Sequence, residues 1–315
     1  MKQILVTGAC GQIGSELVVA LGKRFGPEKV IATDIQKPTA MVRKFSHFKY
    51  LNVLDAHMTA KLVVENDIDT IFHMAAILSA YGEQNPQMAY EVNLQGLMNI
   101  LEVARRKSVE KVLAPSTIAV FGSDAPKDKT PDDVALNPST MYGVTKVAGE
   151  KLMQYYHHKY GIDTRSLRYP GIISAETLPG GGTTDFAVEM YIAASQKQKC
   201  TSFIAQQTPL PFMYMPDAIK AILDLADAPA NQLSRRNYNV HALSLTPAQI
   251  TESIQKYTPE FNCDYKPDFR QQIAESWPHS IDDSNARKDW GWQPDFSLDA
   301  MTRDMLERLT RKSMV

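Results

Sequence analysis

The segment ILVTGACGQIGSELVVAL, residues 4–21, constrains this chain more than any other. An apolar run is followed by three glycines at spacing three, Gly8, Gly11 and Gly14, and then by an amphipathic helical pattern. Glycines placed so serve a strand–turn–helix unit. One permits the tight turn, one lets the backbone approach a pyrophosphate, and one lets helix and strand pack closely. The helix N-terminus, opened by Gln12 and Ile13, then faces the phosphates. Asp34 ends the next apolar run, twenty residues after Gly14, where a carboxylate accepts the two hydroxyls of an adenine ribose and repels a 2′-phosphate. NAD is therefore the expected cofactor, although Lys37 and Arg43 lie downstream.

Short apolar runs alternate with helical patterns through the first half, as a parallel sheet with crossover helices requires. Strands are expected at Gln3–Thr7, Lys29–Asp34, Lys49–Leu51, Thr70–His73, Val112–Ser116 and Thr164–Tyr169, and helices near Gly11–Phe25, Asp55–Asn66, Met88–Arg106 and Met141–Tyr160. The expected fold is a doubly wound α/β sheet of the Rossmann type with a smaller C-terminal substrate-binding region. Residues 1–170 form the cofactor unit, with a return segment near 213–240. Residues 171–212 and 241–315 form the substrate region, ending in a less regular tail that holds Trp277, Trp290 and Trp292.

With 44% hydrophobic and 22% charged residues in 315, the chain has material for a sizeable core. A formal net charge of −1 gives no long-range attraction to nucleic acid or an anionic membrane, and neither is expected as a partner. No apolar stretch has the length of a membrane span, and the N-terminus enters a strand at once, so a cytoplasmic location is expected. Cys10, Cys200 and Cys263 are far apart and odd in number, which suggests no disulfide framework, a reducing compartment and no metal site.

Two tyrosine–lysine pairs stand four residues apart, Tyr142…Lys146 and Tyr155…Lys159. Tyr142 follows a loop, ALNPSTMYG, and opens a long helix, so it and Lys146 share one face near the carboxyl ends of the strands. Tyr155 lies deep in that helix among other aromatic residues, where packing or a solvated face explains it. A phenol beside an ammonium becomes a usable base, which selects Tyr142 and Lys146 as the proton-transfer pair. Ser116 and Thr117 end a strand upstream, with hydroxyls suited to holding the reacting oxygen against Tyr142.

GACGQIG, Asp34, HMAA at 73–76, NLQG at 93–96, PSTIAVFG, YGVTK and RYPG together resemble the extended short-chain dehydrogenase and epimerase family. That resemblance implies that Thr117 is the hydroxyl partner of the catalytic tyrosine, with Ser116 beside it. It places Leu54 and Asp55 at the adenine, and Ala75, Ala76, Asn93, Lys146 and Tyr169 along the cofactor. Sugar-nucleotide members carry an arginine-led run that grips a diphosphate; here that run is LPFMYMPD, with Leu210 and Pro211 in place of Arg and Asp. AAILSAYGEQNP, PGGGTTDFAVEMY and SWPHSIDDSNARKDWGW resemble instead the short-chain L-threonine 3-dehydrogenase branch. This implies L-threonine as the small-molecule substrate, held by Ser79, Thr117, Tyr142, Thr184 and Trp277, with Thr183 and Asp185 nearby. A sugar-nucleotide epimerase and a non-catalytic NAD-binding regulator are the competing readings. Apolar faces on Met88–Arg106 and Met141–Tyr160 lead to an expected homodimer.

Overall fold

A computed structural model describes residues 1–177 and 180–313. The cofactor half runs β1 (Ile4–Thr7), α1 (Gln12–Phe25), β2 (Val30–Asp34), α2 (Ala40–Lys44), β3 (His47–Tyr50), α3 (Ala56–Glu65) and β4 (Thr70–His73). It continues through α4 (Ser79–Gln84), α5 (Pro86–Tyr90), a π-helical turn (Glu91–Gln95), α6 (Gly96–Arg106), β5 (Lys111–Leu113), β6 (Ser116–Thr117), α7 (Met141–Tyr160) and β7 (Asp163–Tyr169). Then come β8 (Gly171–Ile173), α8 (Phe186–Ser195), β9 (Cys200–Ser202), β10 (Leu210–Tyr214), α9 (Met215–Asp227) and β11 (Asn237–Asn239). The chain closes with β12 (Leu243–Leu245), α10 (Pro247–Gln255), β13 (Cys263–Tyr265), α11 (Arg270–Ser276), α12 (Ser284–Trp290) and α13 (Leu298–Ser313).

The main sheet has the order β11-β7-β5-β4-β1-β2-β3, parallel throughout, with β6 also paired to β7. This is the Rossmann arrangement that the alternating pattern predicts. Strand order reverses between β1 and β4, which opens a crevice at their carboxyl ends, the usual ligand position in such a sheet. α1 and α9 cover one face around Leu17, Leu21, Leu225 and Trp292; α3, α6 and α7 cover the other around Leu101, Val103 and Met153. A third core gathers around α8 and α13, with Phe186, Tyr191, Phe212 and Met305. Among the described residues no helix is long and apolar enough to cross a membrane.

Several expectations need correction. The helix foreseen at Met88–Arg106 is divided by the π-helical turn, which carries Asn93; its amide pairs with both backbone groups of Ile77. The strand foreseen at Val112–Ser116 is split before Pro115, which has no N–H for a ladder. The return segment adds another parallel strand, β11, beside β7. The tail is mostly helical. Cys200 and Cys263 form a disulfide, against the expectation of no such bond: β9 and β13 pair in parallel with these two residues in register, Cα atoms 4.5 Å apart. A separation of 63 residues hides that pairing from sequence inspection.

Candidate active site

The turn after β1 is built around its glycines. Gly8 has φ +66°, and a Cβ there would stand 2.4 Å from the Ala75 amide nitrogen, so β1 and β4 close to backbone contact at the crevice. A Cβ at Gly14 would lie 2.1 Å from the Gly8 carbonyl oxygen, which is why α1 packs so tightly on the turn. Around Gly11, the residue before α1, the only atom of the described residues near an added Cβ is the Gly8 oxygen at 3.3 Å. The first turn of α1 has no acidic residue, and the Gln12 side-chain Nε2 is buried with no partner among the described residues. Open backbone donors, a positive helix end and an unpaired amide all suit a pyrophosphate.

Asp34, at the end of β2, is 9% exposed and accepts from the Cys10 and Gln36 amides at 2.8 and 2.9 Å. Leu54 and Asp55 follow β3 on the surface, where Asp55 caps α3 through Met58. Ala75 and Ala76 follow β4 at the crevice. Asn93 faces Ile77 and donates to Thr145 at 3.2 Å, joining the segment after β4 to α7. Tyr169 is buried with its hydroxyl on the Ala218 carbonyl at 2.5 Å, which leaves only its backbone and ring edge for a cofactor.

Tyr142 and Lys146 lie one turn apart near the start of α7, which Thr140 caps through the Gly143 amide. The Lys146 ammonium sits 5.7 Å from the centre of the Tyr142 ring and donates to the Pro115 carbonyl at 2.8 Å. Burial pushes the Tyr142 phenol up to about 12, while a hydrogen bond with Thr117 pulls it back. Burial lowers Lys146 to about 8, opposed by the Glu150 carboxylate one turn further along. Ser116 lines the cavity beside Thr117 and also reaches behind it. Its hydroxyl donates to Glu150 at 2.6 Å, inside a buried ion pair of Glu150 with Arg168 at 2.8 Å, so it supports the helix that carries Lys146. Glu150 and Arg168 are residues that sequence reasoning missed; YGVTK ends four residues too early to include the first. By contrast Tyr155 and Lys159 bond each other at 2.6 Å on the surface, with Tyr155 48% exposed.

A cavity of about 120 Å³ opens beside Tyr142. Thr117, Ser79, Thr184 and Trp277 line it, with Gln12 and Ile13 at the cofactor end. Ser79 and Thr183 share a hydrogen bond at 3.0 Å, and Asp185 accepts from the Gly181 and Gly182 amides. Trp277 is 4% exposed, one edge in the third core and another on the cavity. The expected substrate residues Ser79, Thr117, Tyr142, Thr184 and Trp277, drawn from five separate stretches of chain, therefore meet in one place. Leu210, where sugar-nucleotide members carry arginine, is fully buried in β10 against Leu245.

Residues 4–240 match the NAD dependent epimerase/dehydratase family, and the chain belongs to it. It is thus an NAD-dependent oxidoreductase with a Rossmann fold. An uncharacterized epimerase/dehydratase of Staphylococcus saprophyticus is 48% identical over 99% of this chain and 98% of its own length. Among solved structures, an L-threonine dehydrogenase from Phytophthora infestans is 53% identical, with TM-score 0.95 over 98% of this chain and 99% of its own. A monomeric L-threonine 3-dehydrogenase of metagenomic origin is 47% identical, also at TM-score 0.95, over 98% of this chain and 99% of its own.

Proposed function

We propose that this enzyme oxidises L-threonine at C3, giving 2-amino-3-oxobutanoate, with Tyr142 as the general base. The observation that carries this reading is the cavity beside Tyr142. At about 120 Å³ it falls well below the roughly 300–1,000 Å³ typical of pockets for drug-sized ligands, and suits a small amino acid far better than a nucleotide sugar. The arginines left to replace a diphosphate grip are engaged elsewhere: Arg235 with Asp133, Arg236 with Asp163, Arg270 with Asp268 and Arg287 with Asp283. The solved relatives named as threonine dehydrogenases support the same choice.

NAD, when bound, would supply the hydride acceptor. The glycine turn and the N-terminus of α1 hold its pyrophosphate, and Asp34 its adenine ribose. Thr117 and Tyr142 grip the substrate's 3-hydroxyl between them, and Tyr142 removes its proton while the Lys146 ammonium favours the phenolate. Ser79 and Thr184 offer hydroxyls to the amino-acid end, and Trp277 excludes water from that side. Exposed Met88 and Tyr90 on α5 and Val144 and Tyr155 on the adjoining α7 form the surface through which we infer a homodimer.

One purified sample tests both statements. NADH formation with L-threonine and NAD is expected, falling by about 10²–10⁴-fold in Tyr142→Phe, the usual contribution of a positioned base. Turnover with nucleotide sugars and none with threonine overturns the substrate reading. Light scattering that gives a monomer at micromolar concentration overturns the dimer.

A further inference from the structure

Beside Lys146 lies a second chamber of about 20 Å³, which shares Pro115 and Ser116 with the lining of the substrate cavity. That is room for a single water molecule, which needs about 10–15 Å³ and two to four polar partners. His73, at the end of β4, forms one wall, with Lys146, Asn93, Thr145, Ser116 and Glu150 around it.

Most polar atoms of this wall are already paired. The Ser116 hydroxyl donates to Glu150, the Asn93 amide to Ile77 and Thr145, and the Thr145 hydroxyl to the Tyr142 carbonyl. Besides the Ser166 hydroxyl, which lines the chamber from β7, two groups are left over. His73 is 5% exposed; its Nδ1 pairs with the Thr7 hydroxyl at 2.8 Å, and its Nε2 is buried with no partner among the described residues. Lys146 has three N–H donors, of which Pro115 takes one; among the described residues the other two have no hydrogen-bond partner, so one is available to the chamber. Burial and the facing ammonium keep the imidazole neutral down to about 3. With its proton on Nδ1, donated to Thr7, the ring presents the Nε2 lone pair to the lysine; the reverse tautomer would aim an N–H at a cation.

We propose that His73 is a positioning residue for Lys146: its Nε2 accepts from one water lodged in the chamber, and that water accepts from the Lys146 ammonium. The bridge fixes the direction of the side chain and favours its charged form, so the ammonium acts on Tyr142 at full strength. The other charged group that bears on Lys146 is Glu150 on its own helix, itself paired with Arg168 from β7. Among the described residues, the chamber therefore offers His73 as the acceptor from the β4 side.

The assignment rests on Tyr142 and Lys146 acting as read above, and its test separates the two. In a crystal structure of the wild-type protein at a resolution that places waters, density is expected between Lys146 Nζ and His73 Nε2; a dry chamber overturns the proposal whatever the substrate proves to be. Kinetically, His73→Leu removes the acceptor. The acid limb of kcat/KM is expected to move to higher pH by about one unit, a tenfold loss on the acid side, as a weaker ammonium leaves the phenol less acidic. His73→Gln, whose Oε1 reaches a similar point, is expected to restore most of that shift, with NADH affinity unchanged in both variants. An unmoved limb in His73→Leu, or equal shifts in both variants together with a matching loss of thermal stability, makes His73 a packing residue only. Absence of turnover with any amino acid in the wild type counts against the substrate reading, and the crystal water still decides the bridge.

Discussion

Asp34 shows how much of this protein's chemistry rests on single side chains. One oxygen accepts from the Cys10 amide and the other from Gln36, which holds the carboxylate at the end of β2 with lone pairs still free for a ribose. Hydrogen bonds to a charged group contribute about 1.5–3 kcal/mol each, so Asp34→Ala is expected to raise the KM for NAD by about 10–100-fold. The change in kcat should be much smaller, and the preference for NAD over NADP should shrink. Steady-state kinetics with both cofactors check this, and an unchanged KM for NAD removes Asp34 from the binding site. Asp34 and the glycines were legible because their spacing is local. Tyr142 was separable from Tyr155 by the loop before it. The Ser116 hydroxyl was not legible: its partner Glu150 lies 34 residues away, and only the packing of α7 on β6 and β7 brings them together.

At the level of elements, β1, β4, β7, α1 and α7 were readable from apolar runs and helical spacing. α13 was not, because charged residues crowd its sequence, although Met301, Met305 and Leu306 bury one face of it. β9 and β13 are three residues each and carry no pattern; tertiary packing alone pairs them. Their disulfide closes a span of 63 residues within the C-terminal region, and such a closure contributes about 2–4 kcal/mol. Reduction, or Cys263→Ser, should lower the stability of the purified protein by about that amount, read as a fall in the urea midpoint. Identical midpoints with and without reductant, together with three titratable thiols in the untreated protein, would show that the two cysteines remain reduced in solution.

Across the whole molecule, burial of ionisable groups next to the crevice ties stability to pH. His73 is held neutral to about 3 by burial and by Lys146, and burial lowers His241 as well. In the unfolded chain a histidine titrates near ~6.5. Below that pH the unfolded chain takes up protons that the folded chain refuses, so stability is complete above about 6.5 and is lost progressively as pH falls toward 3. Lys146, lowered to about 8, runs in the same direction but over a different window: its effect changes only between about 8 and 10.5 and is constant in acid. Tyr142, raised to about 12, destabilises the fold as pH rises past about 10. Carboxylates raised by burial, such as Asp132 and Asp217, oppose the histidines only as pH nears the carboxylate range. The stability profile should therefore be flat between about 6.5 and 8 with respect to these groups and should fall on either acid or strongly alkaline exposure. Urea unfolding at about pH 7.5 and about pH 5.5 measures the acid arm, and His73→Gln should reduce its slope because one buried histidine is gone. The same slope in the variant would mean that His73 is protonated in the folded protein, which would remove the neutral acceptor facing Lys146 and with it the water bridge.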